Sequence, residues 1–131
     1  RQAGRVVSHE VAPAQPETFV RALAELLPIG AVQREDAAAW VAFGAAASTR
    51  PWLADPYWEA LQIMRTWVEG VLADVRKAGR MRADLSPAEG ARLVTAVVNG
   101  LTLDLLNAPP TESDEVIGQL RSGLGLILRG L

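Results

Sequence analysis

The run Ala78–Asn107, AGRMRADLSPAEGARLVTAVVNGLTLDLLN, holds one helix end, one helix start and one long apolar helix. Gly79 predicts a C-terminal stop, because glycine enters the left-handed region without a Cβ penalty. Ser86-Pro87-Ala88-Glu89 predicts a capping box. The Ser86 hydroxyl can accept from the backbone N–H three residues on, and Glu89 can reach back to the Ser86 N–H. Pro87 takes the first helical position, where its missing N–H costs nothing. The helix that follows reaches about Asn107 and is apolar on more than one side, through Leu93, Val94, Val97, Val98, Leu101, Leu103, Leu105 and Leu106. Such a helix is expected to be buried nearly all round. Thr95, Asn99 and Thr102 share one stripe and Asp104 lies on another. Ligand contact, a bond across a dimer and plain exposure are open for them, with exposure favoured for Asp104.

Working upstream, Ala12-Pro13-Ala14-Gln15-Pro16 is a break, and Pro16 opens a helix with Glu17 in its first turn. Phe19, Val20, Leu23, Leu26 and Leu27 repeat at helical spacing until Pro28 and Gly30. An alanine-rich helix is expected from about Gln33 to Ser48, with Trp40, Phe43, Gly44 and Ala47 on one stripe. Asp55-Pro56 reads as the next start, for a helix running to Ala78. Trp52 and Trp58 flank a proline turn and are expected to pin it. Downstream, Ala108-Pro109-Pro110 stops the central helix and Thr111 caps the last one. Val116, Ile117, Leu120, Leu124, Ile127, Leu128 and Leu131 recur on its inner face. No segment alternates over strand length and no hairpin turn appears. The expected fold is all-α: an antiparallel bundle of about five helices plus an N-terminal stub.

With 131 residues, half of them hydrophobic and 21% charged, the chain is expected to form one domain with its own core. It has no cysteine, which excludes disulfides and thiolate metal sites. A formal net charge of -2 carries no overall basic signal for nucleic acid. No stretch is apolar for long enough to span a membrane, and no secretory signal follows Arg1. A cytoplasmic protein is therefore expected. Arg1 in place of methionine suggests the C-terminal portion of a longer protein, with a trimmed complete domain as the alternative.

Catalysis has little to rest on. His9 is the one histidine, and no partner for it is implied. Glu35-Asp36 and Asp114-Glu115 read as first-turn carboxylates that complement helix dipoles. No zinc-protease, phosphate-loop or nucleophile-elbow motif occurs. No catalytic residue, metal or cofactor is expected.

Binding has more. Trp40, Phe43, Met64 and Trp67 lie on two helices expected to be neighbours, beside Gly44 and a run of alanines. Large flat residues opposite tiny ones can leave room for a ligand, and ordinary close packing is the alternative. The greasy C-terminus, GLGLILRGL, carries Gly118, Gly123 and Gly125 nearby, which fit close helix approach. Pairing the last two helices with those of a second copy would bury both apolar stripes as a four-helix bundle.

The order and spacing of these elements resemble the ligand-binding half of TetR-family transcriptional repressors, in the BetI-like branch. Gly79, the link Arg82-Ala83-Asp84-Leu85-Ser86-Pro87 and the element Asn99-Gly100-Leu101 stand where that branch has a helix-ending glycine, an Arg-x-Asp-Leu-x-Pro link and an Asp-Gly-Leu element. Trp40-Val41-Ala42-Phe43 looks like its aromatic helix, and Trp67 like the tryptophan of its next long helix. The resemblance covers about Pro16 to Leu131. Two departures stand out: Asn99 replaces the usual aspartate, and Gly44 replaces a bulky aromatic.

The resemblance implies an effector-binding and dimerisation domain at 12–131, with residues 1–11 as the tail of a linker helix. It implies a pocket lined by Trp40, Phe43, Gly44, Met64, Trp67, Val94 and Val98, taking a small apolar or aromatic effector. It implies a homodimer through Leu101, Leu105, Ile117, Leu120, Leu124 and Ile127. Operator DNA would be contacted only by an N-terminal helix-turn-helix, which cannot be placed in these residues. The alternative is a free-standing helical dimer for protein interaction, without ligand. A helical enzyme would need a histidine or carboxylate cluster that the chain does not show.

Overall fold

The computed structural model describes residues 15–109 and 112–131. The expectations for the 1–11 stub, for His9 and for the Thr111 cap lie outside those residues. Among the described residues the chain forms five helices and no strand: α1 (Pro16–Ala24), α2 (Ala31–Ala47), α3 (Pro51–Lys77), α4 (Pro87–Asn107) and α5 (Ser113–Leu124). None is long and apolar enough to cross a membrane.

The best-specified junction forms as its residues dictate. Gly79 closes α3 at φ 74°, in the left-handed region. The Ser86 hydroxyl accepts from the Glu89 N–H at 3.1 Å, and Glu89 accepts from the Ser86 N–H at 3.1 Å. Arg76 holds the link between the two helices by donating to the Leu85 carbonyl at 2.7 Å and the Ala83 carbonyl at 3.1 Å.

The core lies where one face of α1, the C-terminal half of α3, α4 and α5 meet. Phe19, Leu23, Leu27, Val68, Leu72, Val94, Leu120 and Leu124 are fully or almost fully buried there. Gly90 lets α3 and α4 close. A Cβ on it would stand 2.8 Å from both Leu72 Cδ1 and Met81 Cε, closer than packed atoms allow. Gly123 lies similarly against Val97, bringing α5 onto α4. No residue of α2 belongs to this core.

Three elements differ from expectation. The third helix begins at Pro51 rather than at Asp55-Pro56. Proline at the first position starts it, and Pro56 sits in the second turn. There the missing N–H forfeits a bond to the carbonyl of Trp52, a residue that is 72% exposed. Trp52 and Trp58 therefore stand exposed on the helix instead of pinning a turn, and Trp58 carries the Arg65 guanidinium 5.3 Å from its ring centre.

The last helix stops at Leu124, not Leu131. Beyond it the chain turns back against the α3–α4 link. The Arg82 N–H donates to the Ile127 carbonyl at 3.0 Å, and the Arg129 N–H to the Arg80 carbonyl at 2.7 Å. This bridge buries Ile127 and Leu128 under α4.

Finally, α4 is buried on one side only. Leu93 is 45% exposed and Leu103 49% exposed, so its second apolar stripe faces outward. Asp104 is exposed as well.

One ion pair joins the ends of the core. Arg121 of α5 donates to the Glu17 carboxylate of α1. That hydrogen bond holds the Glu17 carboxyl below its ordinary value of 4.5. A depressed carboxylate contributes stability above its unfolded pKa and loses it as pH falls through the folded one. Replacing Glu17 with Gln should therefore lower the thermal midpoint at pH 7. The gap between the two proteins should shrink as pH falls below about 4.5 and vanish once Glu17 is protonated. Thermal melts across that range check this, and a gap independent of pH would contradict it. Both side chains are more than a third exposed, so the effect is expected to be small.

Candidate functional site

α2 rests on the bundle without entering its core. Two residues of α2, Asp36 and Ala37, are buried. What holds the helix is polar and aromatic. The Trp40 indole N–H donates to Asn99 Oδ1 of α4 at 3.1 Å. Arg34 donates to the Leu106 carbonyl at 2.8 Å, capping the last turn of α4 where a cation suits the helix dipole. Tyr57 of α3 stacks on Trp40 with ring centres 4.9 Å apart, and Phe43 meets Tyr57 edge-on at 5.3 Å.

Between this wall and the core lies a cavity of about 300 Å³. Leu23 and Leu26 line it from the α1 end, Trp40 and Phe43 from α2, Leu61 and Met64 from α3, and Val94 and Val98 from α4. The volume falls at the low end of small-molecule sites, and the mostly apolar lining with a few polar groups is their usual chemistry. The polar members are Asp36, Thr95, Asn99 and Thr102. Among the described residues no group of histidine or carboxylate side chains could hold a metal ion.

Of the residues read from sequence, Trp40, Phe43, Met64, Val94 and Val98 come together around this cavity. Gly44 and Trp67 do not. A Cβ on Gly44 would stand 3.1 Å from Tyr57 Cε1, so its bareness admits the tyrosine ring and opens no space for a ligand. Trp67 turns toward α1, where its ring centre lies 5.7 Å from that of Phe19.

Sequence reasoning missed Asp36, Tyr57 and Leu61, and it left ligand contact as one of three open roles for Thr95 and Thr102, which the structure places in the cavity wall. Asp36 carried a readable signal. It precedes Trp40 by four positions and Phe43 by seven, which puts all three on one helix face. Reading Glu35-Asp36 as a first turn masked that: the helix begins at Ala31, and its first turn holds no acidic residue. Tyr57 was hidden by the misplaced start of α3.

The residues expected at a dimer stripe all have contacts within the protomer. Leu120, Leu124 and Ile127 are buried in the protomer's own core, and Leu101, Leu105 and Ile117 pack against it. The inner face of α5 is consumed by α1 and α4 of the same chain.

Fold and site together define a helical domain with a cavity of small-molecule size. Over 99% of its length the chain matches the crystal structure of a transcriptional regulator from Rhodococcus sp. Rha1, with a TM-score of 0.80 and 25% identity, covering 68% of that protein. The chain belongs to the family of C-terminal domains of BetI-type transcriptional repressors, whose model matches residues 16–129. No curated protein matches the sequence.

A pair of substitutions separates room for Tyr57 from open space. Gly44→Val should destabilise by about 1–3 kcal/mol through overpacking, and weaken the near-ultraviolet circular dichroism of the Trp40–Tyr57 stack. A Cβ on Gly70 meets nothing within 4 Å. Gly70→Ala in the same series should stabilise by roughly 0.5–1 kcal/mol through helix propensity alone. A Gly44→Val protein as stable as wild type would contradict the placement of Tyr57.

Proposed function

We propose that this chain is the effector-binding and dimerising part of its regulator, with DNA contacted by a part of the protein outside these residues. The chain covers 68% of the Rhodococcus regulator, so that protein carries residues with no counterpart here. The observation that carries the effector reading is the cavity between α2 and the core. It is apolar, of small-molecule size, and walled on one side by a helix that the core does not hold. A ligand that fills it would add the packing that α2 lacks. It would act on the regulator only by binding one arrangement of the helices better than another.

The dimer reading moves to the outer face of α4. Leu93, Ala96, Gly100 and Leu103 recur there at alternating spacings of three and four, the pattern of a helix–helix seam. Leu93 and Leu103 are each nearly half exposed, and a Cβ on Gly100 would meet nothing within 4 Å. A second copy seated on this face would cover both leucines. Its pairing would leave the α5 core of each chain intact.

Two experiments test these readings. N-phenyl-1-naphthylamine, a neutral apolar fluorophore, should bind saturably and draw excitation from tryptophan. Ala60→Phe, which fills the cavity, should weaken that binding about tenfold or more. Binding that is unsaturable, or indifferent to Ala60→Phe, would contradict the effector reading. Separately, light scattering at micromolar concentration should show a dimer for the wild-type chain and a monomer for Leu103→Glu. A wild-type monomer, or a Leu103→Glu dimer, would contradict the α4 seam.

A further inference from the structure

One side chain ties the two cavity walls together. The Trp40 indole N–H is a donor only. It donates to Asn99 Oδ1 of α4 at 3.1 Å, and of the two amide atoms only the oxygen can receive that bond. This fixes which way the Asn99 amide faces. Its oxygen is spent on α2, and its Nδ2 remains as a donor. Among the described residues Nδ2 meets no acceptor of the protein. Asn99 is half-buried and lines the cavity.

The other side-chain donors of the lining are committed. Thr95 Oγ1 directs its proton to the carbonyls of Ala91 at 3.0 Å and Arg92 at 3.1 Å. Thr102 Oγ1 directs its proton to the Val98 carbonyl at 2.7 Å. The Trp40 N–H is held by Asn99, and Asp36 is already engaged. Among the described residues no lysine, arginine or histidine lines the cavity. Asn99 Nδ2 is therefore the uncommitted side-chain N–H of an otherwise largely apolar lining.

Resting on the effector reading above, we propose that Asn99 recognises the polar group of the ligand. That ligand is an apolar molecule bearing a carbonyl oxygen, which accepts from Nδ2. Water can serve Nδ2 before a ligand enters. A ligand that expels the water without offering an oxygen leaves the N–H shut away unpaired, and an orphaned donor is rarer in proteins than an under-used acceptor. The threonine lone pairs stay open to a ligand that carries a donor as well, so amides and hydroxyketones belong to the same class. Because the same planar amide holds Trp40, a carbonyl seated on Nδ2 is joined through Asn99 to the wall helix α2.

Two probes of one shape isolate the oxygen: 2-acetylnaphthalene, and 2-isopropenylnaphthalene, in which a CH2 group replaces the carbonyl oxygen. Their affinities are read at pH 8 by displacement of N-phenyl-1-naphthylamine from the purified chain. Drying the carbonyl costs the same in each protein, so the change in affinity ratio between proteins reports the contact. Asn99→Asp keeps an oxygen for Trp40 and puts a second carboxylate oxygen in place of the amide donor. It should lower the affinity ratio of 2-acetylnaphthalene to 2-isopropenylnaphthalene about tenfold or more. The near-ultraviolet circular dichroism of the Trp40–Tyr57 stack should be retained. In the wild-type chain the carbonyl carbon of bound, 13C-labelled 2-acetylnaphthalene should resonate downfield of its position in cyclohexane, as for a carbonyl that accepts a hydrogen bond.

A ratio that Asn99→Asp leaves unchanged, or a bound carbonyl that resonates as it does in cyclohexane, would overturn the assignment to Asn99 and leave the effector reading standing. So would a fluorophore that binds saturably and that neither probe displaces. A chain that binds neither the probes nor the fluorophore would overturn the effector reading and this proposal with it. The carbonyl resonance needs only the wild-type chain, so it decides the outcome even if Asn99→Asp does not fold.

Discussion

Everything in this domain leans on one stripe of α4. Near its start the stripe is pure core: Gly90 and Ala91 are buried, with Gly90 against Leu72 of α3, Met81 and Ile127. Gly90 is so tightly enclosed that a methyl group would collide with Leu72 and Met81. The capping box fixes where this helix begins, and the glycine stop before it fixes how α3 ends. The returning tail straps Ile127 and Leu128 beneath the same residues. Further along, the stripe turns from core to cavity, and Val94 and Val98 belong to both. Thr95, Val98, Asn99 and Thr102 continue it at helical spacing, and what they face is the cavity. One face thus serves as core at one end and as a cavity wall at the other.

The opposite wall is held differently. α2 is alanine-rich, and Ala37 is its one buried apolar residue. Its ties are the Trp40–Asn99 hydrogen bond, the Arg34 cap on α4 and the ring cluster with Tyr57. Each net hydrogen bond in water contributes about 1 kcal/mol, whereas burying a large apolar side chain contributes about 1.5–3 kcal/mol. Such a helix opens locally more readily than one anchored by buried leucines. The division follows from composition: alanine faces have little surface to bury, and the large residues of α2 are spent on the cavity and its aromatic rim.

Much of this was legible in the residues. Caps are local, so Gly79 and Ser86-Pro87-Ala88-Glu89 located both ends of the α3–α4 junction. Helical spacing brought Trp40, Phe43, Met64, Val94 and Val98 to one place because each lies on the apolar face of its helix. What was not legible depended on choices between equivalents. Two prolines, Pro51 and Pro56, could each open α3, and the wrong one concealed Tyr57. Two apolar stripes run along α4, and periodicity does not say which faces inward. Burying the Val94–Val98 side sends Leu93 and Leu103 outward and closes α5 onto its own protomer. The asparagine in place of a conventional aspartate at 99 gains its meaning only in space, as the acceptor for Trp40.

The family defines the domain as the regulatory part of a transcriptional repressor. A wall helix held weakly over a cavity, facing a wall that is part of the core, would give the proposed effector response a physical basis. Native-state hydrogen exchange of the backbone amides tests that contrast most directly. Amides of α2 between residues 36 and 46 should exchange by local opening at least about a hundredfold faster than those of α4 between residues 94 and 102, which should approach the protection of global unfolding. Equal protection of the two helices would contradict the contrast, because α2 would then be as much a part of the core as α4.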